Sequence, residues 1–186
     1  MCSSDLATVL AKASQPAQGV TLLRNWIGRH PTDLAAMHAL ADLDMTMADY
    51  PAAQNVLESI VARAPDDVVV LNNLAWIYSR NGDPRASQIA ARAYALSPLS
   101  PAVADTYGWI VLSQGDVTRA VQYLRMASYG MPDDPSVQYH FAVALSRAGH
   151  TAEARALLQR VVAYHGTFDG KQQASDLLKN LGGSVN

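Results

Sequence analysis

The chain has 186 residues, 49% of them hydrophobic and 16% charged, which is enough apolar surface for one globular or solenoid domain. Its formal net charge is −2, and no clustered basic face supplies a nucleic-acid footprint. The single cysteine, Cys2, can form neither an internal disulfide nor a zinc site, and no apolar run reaches the ~18–20 residues that span a bilayer.

Residues 1–31 open abruptly. Leu6, Ala7 and Leu10 mark one face of a first helix with no signal peptide before it, so the chain is expected to lack upstream repeats. After a turn at Gln15-Pro16, a second helix carries Val20, Leu22, Leu23, Trp26 and Ile27. In residues 32–65, His38 and Asp42 sit at i, i+4 and can share a face. Two ligands are too few for a metal, so a solvated or groove-facing pair is expected. Met45 and Met47 read as gap-fillers, and Asp49-Tyr50-Pro51 opens the next helix.

In residues 66–98, Leu71, Leu74, Ala75 and Tyr78 draw one apolar helix face. Gly82 suits a left-handed turn, Asp83 a helix cap and Pro84 a first turn. A narrow second face follows at Ala86, Ile89, Ala90 and Ala93. Residues 99–132 repeat the plan with Ser100-Pro101, Ala104, Tyr107-Gly108, Val111 and Gly115-Asp116. Residues 133–166 do so again, from Asp134-Pro135 through Phe141, Ala142, Leu145 and Gly149 to Leu158. In residues 167–186 Asp169 is expected to cap a last helix, with Ala174, Leu177, Leu178 and Leu181 as its apolar stripe.

A helix pair of this kind cannot bury both faces alone, so copies of itself must stack on it. The copies are legible. Pro31, Pro65, Pro98 and Pro132 are spaced by 34, 33 and 34 residues, and the capping residues Asp33, Asp67, Ser100 and Asp134 follow them. A small residue recurs at Gly19, Ala53, Ala86, Ala120 and Ala154, and four positions on stand Leu23, Leu57, Ala90, Leu124 and Leu158. The predicted fold is an all-α solenoid of about five helix-turn-helix repeats over 1–166, the first truncated, with a capping helix and tail over 167–186.

This pattern resembles the tetratricopeptide repeat, which places an aromatic, Leu-Gly, Tyr, Ala, an aromatic and a closing Pro at these spacings. The fit within one copy is partial: Met37, Leu71, Ala104 and Gln138 replace the first aromatic, and Ala41, Ala75 and Ala142 replace the glycine. The phrases LNNLAW, DTYGWI and YHFAVALSRAG resemble the C-terminal repeats of bacterial tetratricopeptide proteins associated with exosortase/PEP-CTERM and exopolysaccharide systems. The resemblance implies a right-handed superhelix, a non-catalytic protein-interaction scaffold and a bacterial envelope or periplasmic setting. No targeting segment is present in the chain, so a cytoplasmic setting stays open. A carbohydrate-binding groove and an accessory domain of a larger enzyme are the alternatives.

No catalytic chemistry is legible. The stretch from Gly166 to Gln172 is one residue too short between its glycines for a phosphate loop, puts Gln172 where Ser or Thr belongs, and follows no strand. His30, His38, His140, His150 and His165 lack metal spacing, and no cofactor is expected. His140 is expected to be a hydrogen-bonded packing residue.

In the family the first helix of each repeat lines the concave side, where a protein or peptide binds. The resemblance places His38 and Asp42, then Asn72, Trp76 and Arg80, then Asp105 and Trp109, then Tyr139 and Arg147 on that face. Trp76 and Trp109 hold equivalent places and are expected either to pack on the adjacent helix or to form an aromatic shelf for a peptide or a polysaccharide. The chaperone-type carboxylate clamp is not carried over, because the lysines are missing although Asn72 and Arg80 are present. Nor is an asparagine ladder, whose positions hold Ala39, Asn73, Thr106 and His140.

Overall fold

The computed structural model describes residues 16–182. The expected first helix at Leu6–Leu10 lies outside them. The described residues form ten helices and no strand. They are α1 (Pro16–Arg29), α2 (Leu34–Thr46), α3 (Tyr50–Val61), α4 (Val68–Arg80), α5 (Arg85–Leu96), α6 (Pro101–Ser113), α7 (Val117–Gly130), α8 (Pro135–Arg147), α9 (Thr151–Val162) and α10 (Lys171–Asn180). The chain divides into two compact units, Met1–Asp83 and Pro84–Asn186.

The helix starts follow from capping. Asp33, Asp49, Asp67, Ser100, Asp116 and Asp134 each accept a hydrogen bond from the backbone N–H three residues on. Each such cap contributes about 1 kcal/mol. At two helix starts the N-cap position falls one residue after the expected aspartate. At α5 it is held by Pro84, which makes no side-chain cap bond, and at α10 by the residue after Asp169. Gly170 takes that position with φ +98°, pressed so closely under Tyr139 that an added Cβ would sit 2.7 Å from its ring. Lys171 Nζ braces the preceding loop instead, donating to the carbonyls of Tyr164 and Gly166 at 2.7 and 2.8 Å.

The helix ends share one turn. Gly82, Gly115 and Gly149 lie at φ +68°, +89° and +84°, and in each turn the next N–H returns to the carbonyl five residues back, closing a Schellman motif. In the second repeat the same place is held by Ala48, at φ +58°.

In the first unit each helix packs on its chain neighbour, from α1 to α4. Val20, Leu23, Ala36, Leu40 and Leu43 form the buried centre of its first layers. In the second unit the same succession runs from α5 to α10, and the first helices also touch one another, α6 on α8 and α8 on α10. One core joins Val111, Leu112, Leu124, Phe141 and Leu145, and another joins Ala142, Leu158, Val161, Ala174 and Leu178. The small residues Ala53, Ala86, Ala120 and Ala154 and their partners Leu57, Ala90, Leu124 and Leu158 are all buried. That is the close approach their spacing requires. The stripe of α10 is sound: Ala174 and Leu178 are buried, while Leu177 and Leu181 pack against the same core.

Candidate functional site

The candidate residues fall into one group per unit. In the first unit His38 does not pair with Asp42. Its Nε2 lies 3.0 Å from Asp67 Oδ2, so the histidine links α2 to the residue that caps α4. Asp42 is exposed one turn along α2. Trp76 on α4 meets Tyr50, at the start of α3, edge to face with ring centroids 5.1 Å apart. The Arg80 guanidinium lies over both rings, 4.9 Å from the Tyr50 centroid and 5.1 Å from that of Trp76. Trp76 thus packs within its own unit, in a contact worth about 0.5–1.5 kcal/mol for the ring pair and about 0.5–1 kcal/mol for the cation. Asn72 Oδ1 is buried with no hydrogen-bond partner.

In the second unit the residues converge more closely. Asp105 on α6 holds His140 Nδ1 on α8 with both carboxylate oxygens, at 3.0 and 2.9 Å. Their side chains are only 13% and 14% exposed, so His140 is the hydrogen-bonded packing residue expected. Trp109, one turn beyond Asp105, stacks on the His140 ring with centroids 4.2 Å apart and planes 25° apart. Tyr139 lies 6.1 Å from Trp109. Burial pushes its hydroxyl above the ordinary phenol range, against the pull of Arg147. Arg147 donates from Nη1 to the Leu112 carbonyl at 3.2 Å, which ties the end of α8 back to α6 and leaves the rest of its donor fork for other acceptors. Two successive first helices therefore present one stacked, charge-flanked cluster.

Several residues were not legible in the sequence. Tyr94, Tyr107 and Tyr123, from α5, α6 and α7, form an aromatic triangle with centroids 4.9–5.2 Å apart. Ser128 and Gln138 satisfy one another in the core, Ser128 Oγ donating to Gln138 Oε1 at 2.8 Å and Gln138 Nε2 donating to the Ser128 carbonyl at 2.9 Å. Asp44 is 1% exposed and has one oxygen without a partner, the other lying 3.4 Å from Arg24. Burial raises its carboxyl above the ordinary range. The repeat spacing was the signal available here, since the equivalent residues Tyr78, Val111 and Leu145 are apolar core.

Among the described residues no group of histidines, cysteines and acids could hold a metal ion, and no helix is long and apolar enough to cross a membrane.

The family model of the tetratricopeptide repeat matches residues 10–77 and 111–175. A TPR repeat-containing protein of Pseudomonas aeruginosa is 28% identical over 131 residues, covering 68% of this chain and 22% of its own length. Cellulose synthase 1 operon protein C of Komagataeibacter xylinus is 30% identical over 141 residues, covering 72% of this chain and 10% of its own. The chain thus spans between a tenth and about a fifth of the length of these relatives. Among solved structures, a thermophilic TPR protein of Thermus thermophilus superposes with a TM-score of 0.67 at 17% identity, covering 96% of each chain. YrrB, a TPR protein with an unusual peptide-binding site, does so with a TM-score of 0.66 at 12% identity, covering 94% of this chain and 90% of its own. With ten helices among its described residues, recurring caps and turns and a match over more than half its length, the chain belongs to the tetratricopeptide repeat family.

Proposed function

We propose that this chain is a non-catalytic scaffold that holds a protein or peptide partner on the faces of its first helices, in a bacterial envelope system for exopolysaccharide export or protein sorting. One observation carries the reading. Asp105, Trp109, Tyr139, His140 and Arg147 are drawn from successive first helices into one cluster. A partly buried aromatic flanked by an arginine is the usual anchor of a binding surface. The polysaccharide setting is supported by the cellulose synthase operon protein C relative, and the peptide class by the peptide-binding site named for YrrB. In the first unit Trp76, Arg80, Asn72, His38 and Asp42 belong to the same reading.

The test is co-purification of the tagged chain with envelope proteins of the producing bacterium, beside a Trp109→Ala, Arg147→Ala double variant. Enrichment of an exopolysaccharide or sorting component by the parent and not by the variant supports the proposal. Equal enrichment by both removes the first-helix cluster from the account. A sugar chain is the second reading, favoured by the same relative's name. A titration with cello-oligosaccharides that quenches Trp109 fluorescence, with no protein partner captured, would turn the account in that direction.

A further inference from the structure

Away from the first-helix face, the second unit contains a cleft whose origin is a single repeat position. In the fourth repeat Gly130 ends α7 against Pro101, so closely that a Cβ on it would lie 2.3 Å from the proline Cγ. One repeat later Tyr164 stands in place of Gly130 and Pro135 in place of Pro101. A tyrosine cannot occupy that contact, and the two residues instead line a cleft of about 350 Å³ with Pro132 and Val161. The volume falls at the small end of the ~300–1,000 Å³ typical of small-molecule sites.

The Tyr164 wall is held in place. Its ring covers Gly166, where a Cβ would meet it at 2.5 Å, and meets Phe168 edge to face at 6.3 Å. Its carbonyl accepts from Lys171 Nζ. Gln138 also lines the cleft, but its amide is already engaged with Ser128 and Met131 and asks nothing of a ligand. Two charged residues complete the lining, Arg160 and Asp133. They make no ion pair with each other, and neither side chain has a hydrogen-bond or ion-pair partner among the described residues.

An apolar slot bordered by one unmatched cation and one unmatched anion complements a small zwitterion with an apolar body. We propose that this cleft binds an apolar α-amino acid, its carboxylate on Arg160, its ammonium on Asp133 and its side chain against Pro135, Val161 and Tyr164. This site is separate from the proposed first-helix face and does not depend on it. The competing role for the two charges is interaction with helix ends, since Arg160 lies in the last turn of α9 and Asp133 just before α8.

The experiment is a titration of the ¹⁵N-labelled full chain with L-leucine, N-acetyl-L-leucine and L-leucinamide, followed by NMR at Val161, Tyr164 and the Gln138 side-chain amide. The analogues each lack one charge. The proposal expects saturable shifts with leucine and at least about tenfold weaker binding of both analogues, the usual scale for losing one charged hydrogen bond. Arg160→Gln and Asp133→Asn should each produce the same loss with an unchanged spectrum elsewhere. No saturable shift up to the solubility of leucine overturns the site. Analogues or variants that bind as well as the parent pair overturn the zwitterion assignment and leave the two charges to the helix ends.

Discussion

Ala48→Gly should stabilise the protein. Four turns among the described residues place a residue in the left-handed region after the first helix of a repeat, and three of them use glycine. Ala48 adopts φ +58° there with the same pair of turn hydrogen bonds, its own N–H to Met45 and that of Asp49 to Asp44 at 3.0 and 2.8 Å. The left-handed conformation costs a residue with a Cβ roughly 1–2 kcal/mol. Glycine returns about 0.4–1 kcal/mol of that through the greater freedom of the unfolded chain. The net gain for Ala48→Gly is therefore about 1 kcal/mol, and Gly82→Ala or Gly149→Ala should lose about as much. Urea unfolding followed by circular dichroism reads this as a shift in midpoint at constant slope. A lower midpoint for Ala48→Gly, or a higher one for either Gly→Ala variant, would refute the reasoning, because it would mean that the freedom of the unfolded chain outweighs the left-handed strain.

Four further outcomes follow from single contacts. Gly108→Ala should destabilise by about 1–3 kcal/mol, seen as a lower melting temperature, since the new Cβ would lie 2.8 Å from Cγ of the fully buried Leu124. Asp44→Asn should be more stable than the parent at neutral pH. The folded-state pKa of Asp44 is raised above its ordinary 3.8, so its neutral form favours folding, and the stability it allows at acid pH is lost as pH rises from there through the folded value. The difference between variant and parent in a pH series of urea midpoints should therefore shrink on acidification, and a difference independent of pH would contradict the assignment. Trp109→Ala should weaken partner binding at least about tenfold, or ~1.4 kcal/mol, and should also lower the melting temperature by removing the stack on His140. Arg147→Ala, exposed and held by one backbone bond, should weaken binding with less effect on melting, and unchanged binding by both variants excludes the cluster.

The repeat was legible because its determinants are local and periodic. Prolines, caps and small residues act within a turn or two of their own position, so the spacing of Ala53, Ala86, Ala120 and Ala154 was enough to place a buried helix contact. The site was legible only as a set of positions. Which residues pair depends on the separation between helices. His38 and Asp42 share a helix face, yet the carboxylate within reach of His38 is Asp67, across to the next repeat. Trp76 and Trp109 hold the same repeat position, but one is edged by Tyr50 and covered by Arg80 while the other stacks on His140. Those differences come from residues far along the chain: Asp67 lies 29 positions from His38, Tyr50 26 from Trp76 and His140 31 from Trp109. Asp169 misled for a related reason: a good capping residue is displaced when the next residue, Gly170, is drawn into a left-handed turn under Tyr139.

Hydrogen–deuterium exchange on the full chain with its co-purified partner tests the scaffold reading most directly. The account predicts added protection in α2, α4, α6 and α8, centred on Trp109, Tyr139 and His140, with α3, α5, α7 and α9 unchanged. Protection confined to those second helices, with α6 and α8 exchanging as in the free protein, would contradict it.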